Sequence, residues 1–150
     1  MGKDSSAAFD ACLGEYRKAA AEFCDAAERF KPDTFAAERP SDDPDTVSPL
    51  SICRHVVGAA HGYARYLRKA QGMAPGTFVD RVKAQGDVQP ALDAEIRFTE
   101  ESCAPMRPLE GLGVLKIEFK VSWGPVYNPE ILLEHAICHL LRHRRQLERW

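Results

Sequence analysis

The C-terminal stretch EHAICHLLRHRRQLERW sets His135, His139 and His143 at intervals of four residues. On an α-helix that spacing stacks the three rings along one stripe, one turn apart. A further histidine, His55, lies far upstream in the amphipathic stretch SPLSICRHVVGAAHGYARYL. Two imidazoles one turn apart, joined by a third from a neighbouring helix, can hold a metal ion through nitrogen and leave a coordination position open. An open position separates a catalytic site from a closed structural one, and water bound there has a lowered pKa.

A helical wheel sharpens the choice. With Leu132 at the origin, His139 falls at about −20° and His143 at about 20°. Both lie within the arc defined by Leu132, Ala136, Leu140 and Leu147, while His135 falls at its edge near −60°. His55 sits between Ile52 and Ala59 on the apolar face of its own helix. His61 is about 240° around that helix from His55 and points elsewhere. A single histidine on an apolar face is ordinarily a packed core residue. A pair on one face, with a third facing inward from another helix, asks for a further reason.

Other templates fit less well. A di-iron bundle needs Glu-x-x-His on two helices, and neither Glu130 nor Glu134 has a histidine three residues on. The HExxH zinc motif is absent. A cysteine–histidine nucleophile would use Cys53 or Cys138, but Cys138 falls on the wheel away from the histidine pair.

Four long amphipathic segments position these residues. Phe9, Leu13, Tyr16, Ala20, Phe23, Ala27 and Phe30 recur at helical spacing, with Ser5 or Ser6 as a cap and Pro32 beyond the end. Residues 31–47, rich in Pro, Asp and Thr, read as a long loop. Ser48-Pro49 supplies an N-cap and first position for a second helix that stops at Gly72. A short helix is predicted over Thr77–Ala84. A third long helix is predicted from about Pro90, with Leu92, Ile96, Thr99, Cys103 and Met106 on one face and Pro105 and Pro108 at its end. Asn128-Pro129 starts the last helix, which runs to Trp150.

One stretch has a different period. Leu115, Ile117, Phe119, Val121 and Trp123 alternate with polar residues, which predicts a strand over 115–123 ending at a Gly124-Pro125 turn. Its partner must be a short extended segment or a second subunit, because an unpaired strand leaves backbone groups unsatisfied. Four long helices in one 150-residue domain predict an all-α four-helix bundle with this short strand segment.

Composition limits the function classes. A net charge of −2 and a pI near 6.2 give no basic footprint for nucleic acid. Arg142, Arg144, Arg145 and Arg149 read as a solvated helix face. No apolar run is long enough to span a bilayer, and MGKDSSAAFD lacks the apolar core of a secretion signal. The five cysteines are scattered without a CxxC pair, as expected of small core residues in a reducing compartment. These features together predict a cytoplasmic protein that binds neither nucleic acid nor membrane.

Ser48-x6-His55-Val56-Val57 in the second helix and His139-x3-His143-Arg144-Arg145-Gln146 in the last resemble the DinB/YfiT-like superfamily, whose pattern is similar to H-x3-H-R-G-Q. Arg145 stands where that pattern has glycine. The resemblance implies an up-down-down-up bundle and a divalent metal, nickel or zinc, on His55, His139 and His143. His135 offers a second ligand choice, paired with His139. A role for Gln146 beside His143 and a solvated Gln146 are both open. Characterised members of the superfamily are largely thiol-dependent S-transferases or isomerases that use a low-molecular-weight thiol, and dimers are common among them. The expected function is therefore a metal-dependent S-transferase or hydrolase acting on a small-molecule substrate, with Arg142 or Arg54 steering an anionic thiol. The alternative is a non-catalytic metal-binding or stress-response bundle. Metal identity does not follow from three histidines, which accept nickel, zinc, copper or iron.

Overall fold

The computed structural model describes residues 4–109 and 111–150; the first three residues of MGKDSSAAFD and residue 110 lie outside that description. Four main helices pack as a bundle: α1 (Asp4–Glu28), α3 (Pro49–Ala70), α4 (Val88–Cys103) and α5 (Pro129–Glu148). A single turn, α2 (Pro32–Phe35), and a hairpin of β1 (Phe119–Lys120) and β2 (Val126–Tyr127) complete the regular elements used below.

Side-chain pairs fix the helix directions. His61 meets Glu95 and Arg68 meets Ser102, so α3 and α4 run parallel. Glu22 pairs with Arg144, and Cys12 feels Glu130 and Glu134, so α1 and α5 are parallel too. His55 meets His139, while Tyr63 meets His135, which makes α3 and α5 antiparallel. Arg17 pairs with Glu100, and Cys24 feels Asp93, so α1 and α4 are antiparallel. The bundle is therefore up-down-down-up, with the heaviest packing within the two parallel pairs. Parallel neighbours cannot be joined by a tight turn, which accounts for the long crossover between α3 and α4.

The apolar stripes fill the centre. Leu13, Tyr16 and Phe23 of α1 pack with Ile52 and Leu67 of α3, Leu92 of α4 and Leu132 and Leu140 of α5, all almost fully buried. Each such side chain contributes roughly 1.5–3 kcal/mol on burial.

Local signals set the helix ends. The Ser48 hydroxyl accepts the Ser51 backbone N–H at 3.0 Å, and Ser51 Oγ accepts the Ser48 N–H at 2.9 Å, which closes a capping box one turn before His55. Asn128 accepts the Ile131 N–H at 3.0 Å and caps α5. Beyond α3, Gly72 takes a φ of +69°. There Met73 N–H donates to the Arg68 carbonyl and Gly72 N–H to that of Lys69, a Schellman stop.

Several expectations change. The first helix is described from Asp4, so Ser5 and Ser6 fall within its range. The 31–47 segment contains α2 and a 3₁₀ turn at Pro44–Thr46. No helix forms over 77–84. Phe78 instead lies against the His61 ring, and Asp80 pairs with Arg54 while accepting the Val82 N–H, so tertiary and Asx-type bonds hold the chain extended. Helix α4 starts at Val88, which leaves Pro90 in its first turn, where its missing N–H costs little. The last helix ends at Glu148. Residues 111–116 are 3₁₀, and the strand shrinks to Phe119–Lys120, paired with Val126–Tyr127 of the same chain. The predicted alternation holds in burial from Ile117 to Val121, but Trp123 is 45% exposed.

Replacing the capping residue, Ser48→Ala, should cost about 1 kcal/mol. At this chain length the corresponding fall in Tm is about 2–4 °C by calorimetry. An unchanged Tm would show that the start of α3 is held by packing alone.

Candidate metal centre

The antiparallel contact of α3 with α5 brings the predicted residues together. Nε2 of His55 and Nε2 of His143 each lie 3.1 Å from Nε2 of His139. The three ligand atoms all fall within 4.8 Å of one another. Ring centroids are 5.1 Å apart for His55–His139, 5.0 Å for His55–His143 and 4.3 Å for His139–His143. Nitrogens about 2.0–2.1 Å from a tetrahedral ion sit roughly 3.3–3.4 Å from one another, close to the spacing seen here.

The far nitrogens support the same arrangement. His55 Nδ1–H donates to Asp45 Oδ2 at 3.0 Å. His143 Nδ1–H donates to Gln146 Oε1 at 2.6 Å. Both acceptors hold the proton on Nδ1 and leave an Nε2 lone pair aimed at His139. This outer-shell pattern orients metal-binding imidazoles and raises their basicity. Without a cation, a single N–H on His139 Nε2 would have to serve two lone pairs at once. A positive ion at the convergence point satisfies all three, so the donor set fits a divalent metal.

Burial keeps the site neutral. Desolvation is the main cause that lowers the His139 pKa, to about 3, with His143, His55, His135 and Arg142 adding to it. The His143 pKa is also lowered, first by desolvation and then by His55, against the opposing hydrogen bond that its ring donates to Gln146. Histidine must be deprotonated to bind metal, and these two are already so at neutral pH.

Around the triad, a groove of about 430 Å³ beside His55 is lined by Asp45, Ser51 and Arg54 among others. Asp45 is held on its 3₁₀ turn by Asp43, whose carboxylate accepts the Asp45 N–H at 3.0 Å. On the opposite side, the Tyr63 ring meets His139 edge-on at 5.7 Å and His135 at 5.4 Å. His135 is stacked on Trp123 at 4.9 Å and hydrogen-bonded to the Tyr127 hydroxyl at 3.3 Å. It stands beside the cluster formed by His55, His139 and His143 and is not part of that group.

His61 points away, as its wheel position requires. Its Nδ1 bonds Glu95 at 2.8 Å, and its ring stacks on Phe98. Cys53 is buried in the core, and burial pushes its thiol pKa well up, which argues against a thiolate nucleophile. Cys138 is exposed, on the far side of α5 from the core. Arg54 is engaged by Asp80, whereas Arg142 is exposed. Sequence reasoning missed Asp45 and the aromatic wall, because nothing local ties a loop aspartate or Tyr63 and Trp123 to histidines so far along the chain. No protein-family model, curated protein or solved structure matches the chain.

The lowered pKa values have a consequence for stability. Unfolded histidines bind protons from about pH 6.5 downward, whereas folded His139 and His143 resist. The unfolded state therefore holds more protons, and chelator-treated protein should lose stability as pH falls from 6.5 towards the folded value near 3. Urea melts at pH 7.5 and pH 5 should show a smaller loss for His139→Asn than for wild type. An equal loss would place the acid sensitivity elsewhere.

Proposed function

We propose that this chain is a metal-dependent protein of the DinB/YfiT-like kind, with His55, His139 and His143 as ligands of one divalent ion, nickel or zinc. On this reading it is a thiol-dependent S-transferase or a hydrolase that acts on a small molecule. The observation that carries the reading is the convergence of three Nε2 atoms whose partner nitrogens are turned to Asp45 and Gln146. The up-down-down-up bundle and the His139-x3-His143-Arg-Arg-Gln run support it.

A divalent ion held there supplies the positive charge that lowers the pKa of a neighbouring thiol or water. The protein's share is positioning. Asp45 and Gln146 hold two imidazoles in the correct tautomer, and burial keeps His139 free of a competing proton. Tyr63 and Trp123 limit water on one side, while the groove beside His55 gives a substrate access. Arg142, exposed one residue before His143, is the cation left to draw an anionic thiol.

The test is metal content by mass spectrometry on protein purified without a nickel column. Wild type should carry near-stoichiometric metal, and His143→Ala should not. Wild type that stays metal-free after reconstitution would sink the reading. Asp45→Ala and Gln146→Ala should each weaken metal binding about 10–100-fold in a competition titration while leaving the helical circular dichroism unchanged. Metal-loaded protein should then conjugate a small thiol to an electrophile faster than metal-free protein. Equal rates with full metal occupancy would favour the non-catalytic metal-binding bundle instead.

A further inference from the structure

A second concave surface lies along α3, beyond the histidine cluster. A groove of about 700 Å³ is lined by Gly62, Arg65, Tyr66, Lys69, Met73 and Pro75. That volume falls within the roughly 300–1,000 Å³ typical of small-molecule sites.

A glycine opens α3 to this groove. A glycine inside a helix is destabilising relative to alanine. A Cβ at Gly62 would meet nothing within 4 Å, whereas one at Gly58 would touch the Phe78 ring at 3.7 Å. Packing does not require Gly62, and its missing side chain leaves the helix backbone open to the groove. One wall is the Schellman turn, held where Met73 N–H and the Arg68 side chain bond the Arg68 and Ala74 carbonyls respectively. The other is Tyr66, whose ring stacks on Phe119 at 6.0 Å and whose hydroxyl accepts the Ser122 N–H at 2.8 Å.

The electrostatics are one-sided. Arg65 and Lys69 lie four residues apart on α3, both exposed, and among the described residues no acidic side chain lines the groove. Among the described residues neither cation forms an ion pair with a carboxylate, so both can turn to a bound anion. Like charges at this helical spacing repel, and an oxyanion between them removes that cost.

We propose that this groove binds a small organic oxyanion with a flat apolar body. Its carboxylate or phosphate lies between Arg65 and Lys69, and its body lies over Gly62 against Tyr66, Met73 and Pro75. Tyr66 meets Trp123 edge-on at 5.8 Å, and Trp123 stacks on His135, so an aromatic run joins the groove to the histidine cluster. Binding in the groove requires no metal and stands apart from the reading of that cluster.

The experiment is an NMR titration of the whole chain with naphthoate, naphthyl phosphate and neutral naphthamide. Both anions should give saturable shifts at amides of residues 62–75, and naphthamide should bind about tenfold more weakly, the worth of one charge-assisted contact. The tighter anion identifies the headgroup. Arg65→Gln combined with Lys69→Gln should weaken both anions about tenfold and leave naphthamide unchanged. Gly62→Leu should weaken all three, while Gly62→Ala should raise Tm by about 2–4 °C. Naphthamide binding as tightly as naphthoate, shifts centred elsewhere, or no saturable shift with either anion would overturn the proposal. A fall in Tm for Gly62→Ala would do the same, because packing would then account for the glycine.

Discussion

Three imidazoles from two antiparallel helices, with Nε2 of His55 and of His143 each 3.1 Å from Nε2 of His139, are the constraint around which this bundle is organised. Water is largely excluded from His143, so its ring cannot take a proton cheaply, and neighbouring rings suppress protonation of His139 further. Neutral rings have lone pairs, and lone pairs aimed at one point repel unless something positive or a shared proton lies between them. The arrangement persists because the two outer rings, His55 and His143, are held from behind. The α3 and α5 backbones carry the rings, Asp45 holds His55, and Gln146 holds His143. Outer hydrogen bonds of this kind decide the direction of a donor as much as the donor's identity does.

The topology follows from the need to place α3 against α5. The parallel pairs α1/α5 and α3/α4 pack most heavily, and the antiparallel α3/α5 contact that carries the histidines is one of two lighter seams between them. A lighter seam leaves room for polar rings that a tightly interdigitated leucine interface would exclude. The long crossover made necessary by parallel α3 and α4 then serves as wall material. Its Schellman turn borders the basic groove, and Phe78 covers the buried His61–Glu95 pair. The hairpin between α4 and α5 brings Trp123 and Tyr127 to His135, so one short irregular segment packs beside the histidine cluster and borders the approach to the groove.

Charge is distributed with the same economy. Arg17 pairs with Glu100 and Arg144 with Glu22 across the helix seams, which fixes helix register. Such exposed pairs contribute little to stability individually. Arg65 and Lys69 form no such pair among the described residues, and both border the groove along α3.

The sequence by itself determined the four amphipathic helices, the Ser48-Pro49 and Asn128-Pro129 starts, the Gly72 stop, and the inward stripe shared by His139 and His143. These depend on local periodicity and capping, which a few neighbouring residues encode. Tertiary structure alone decided the rest. The 77–84 segment stayed extended because Arg54 and the His61 face hold it, and the 115–123 alternation yielded a two-residue strand because its partner, Val126–Tyr127, is equally short. The Asp45 carboxylate reached His55 only through the folding of a loop, and Gln146, open between two roles in the sequence, was settled as a partner of His143 by a single rotamer. Contacts between residues tens of positions apart have no local signature, because their energy exists only once the helices are packed.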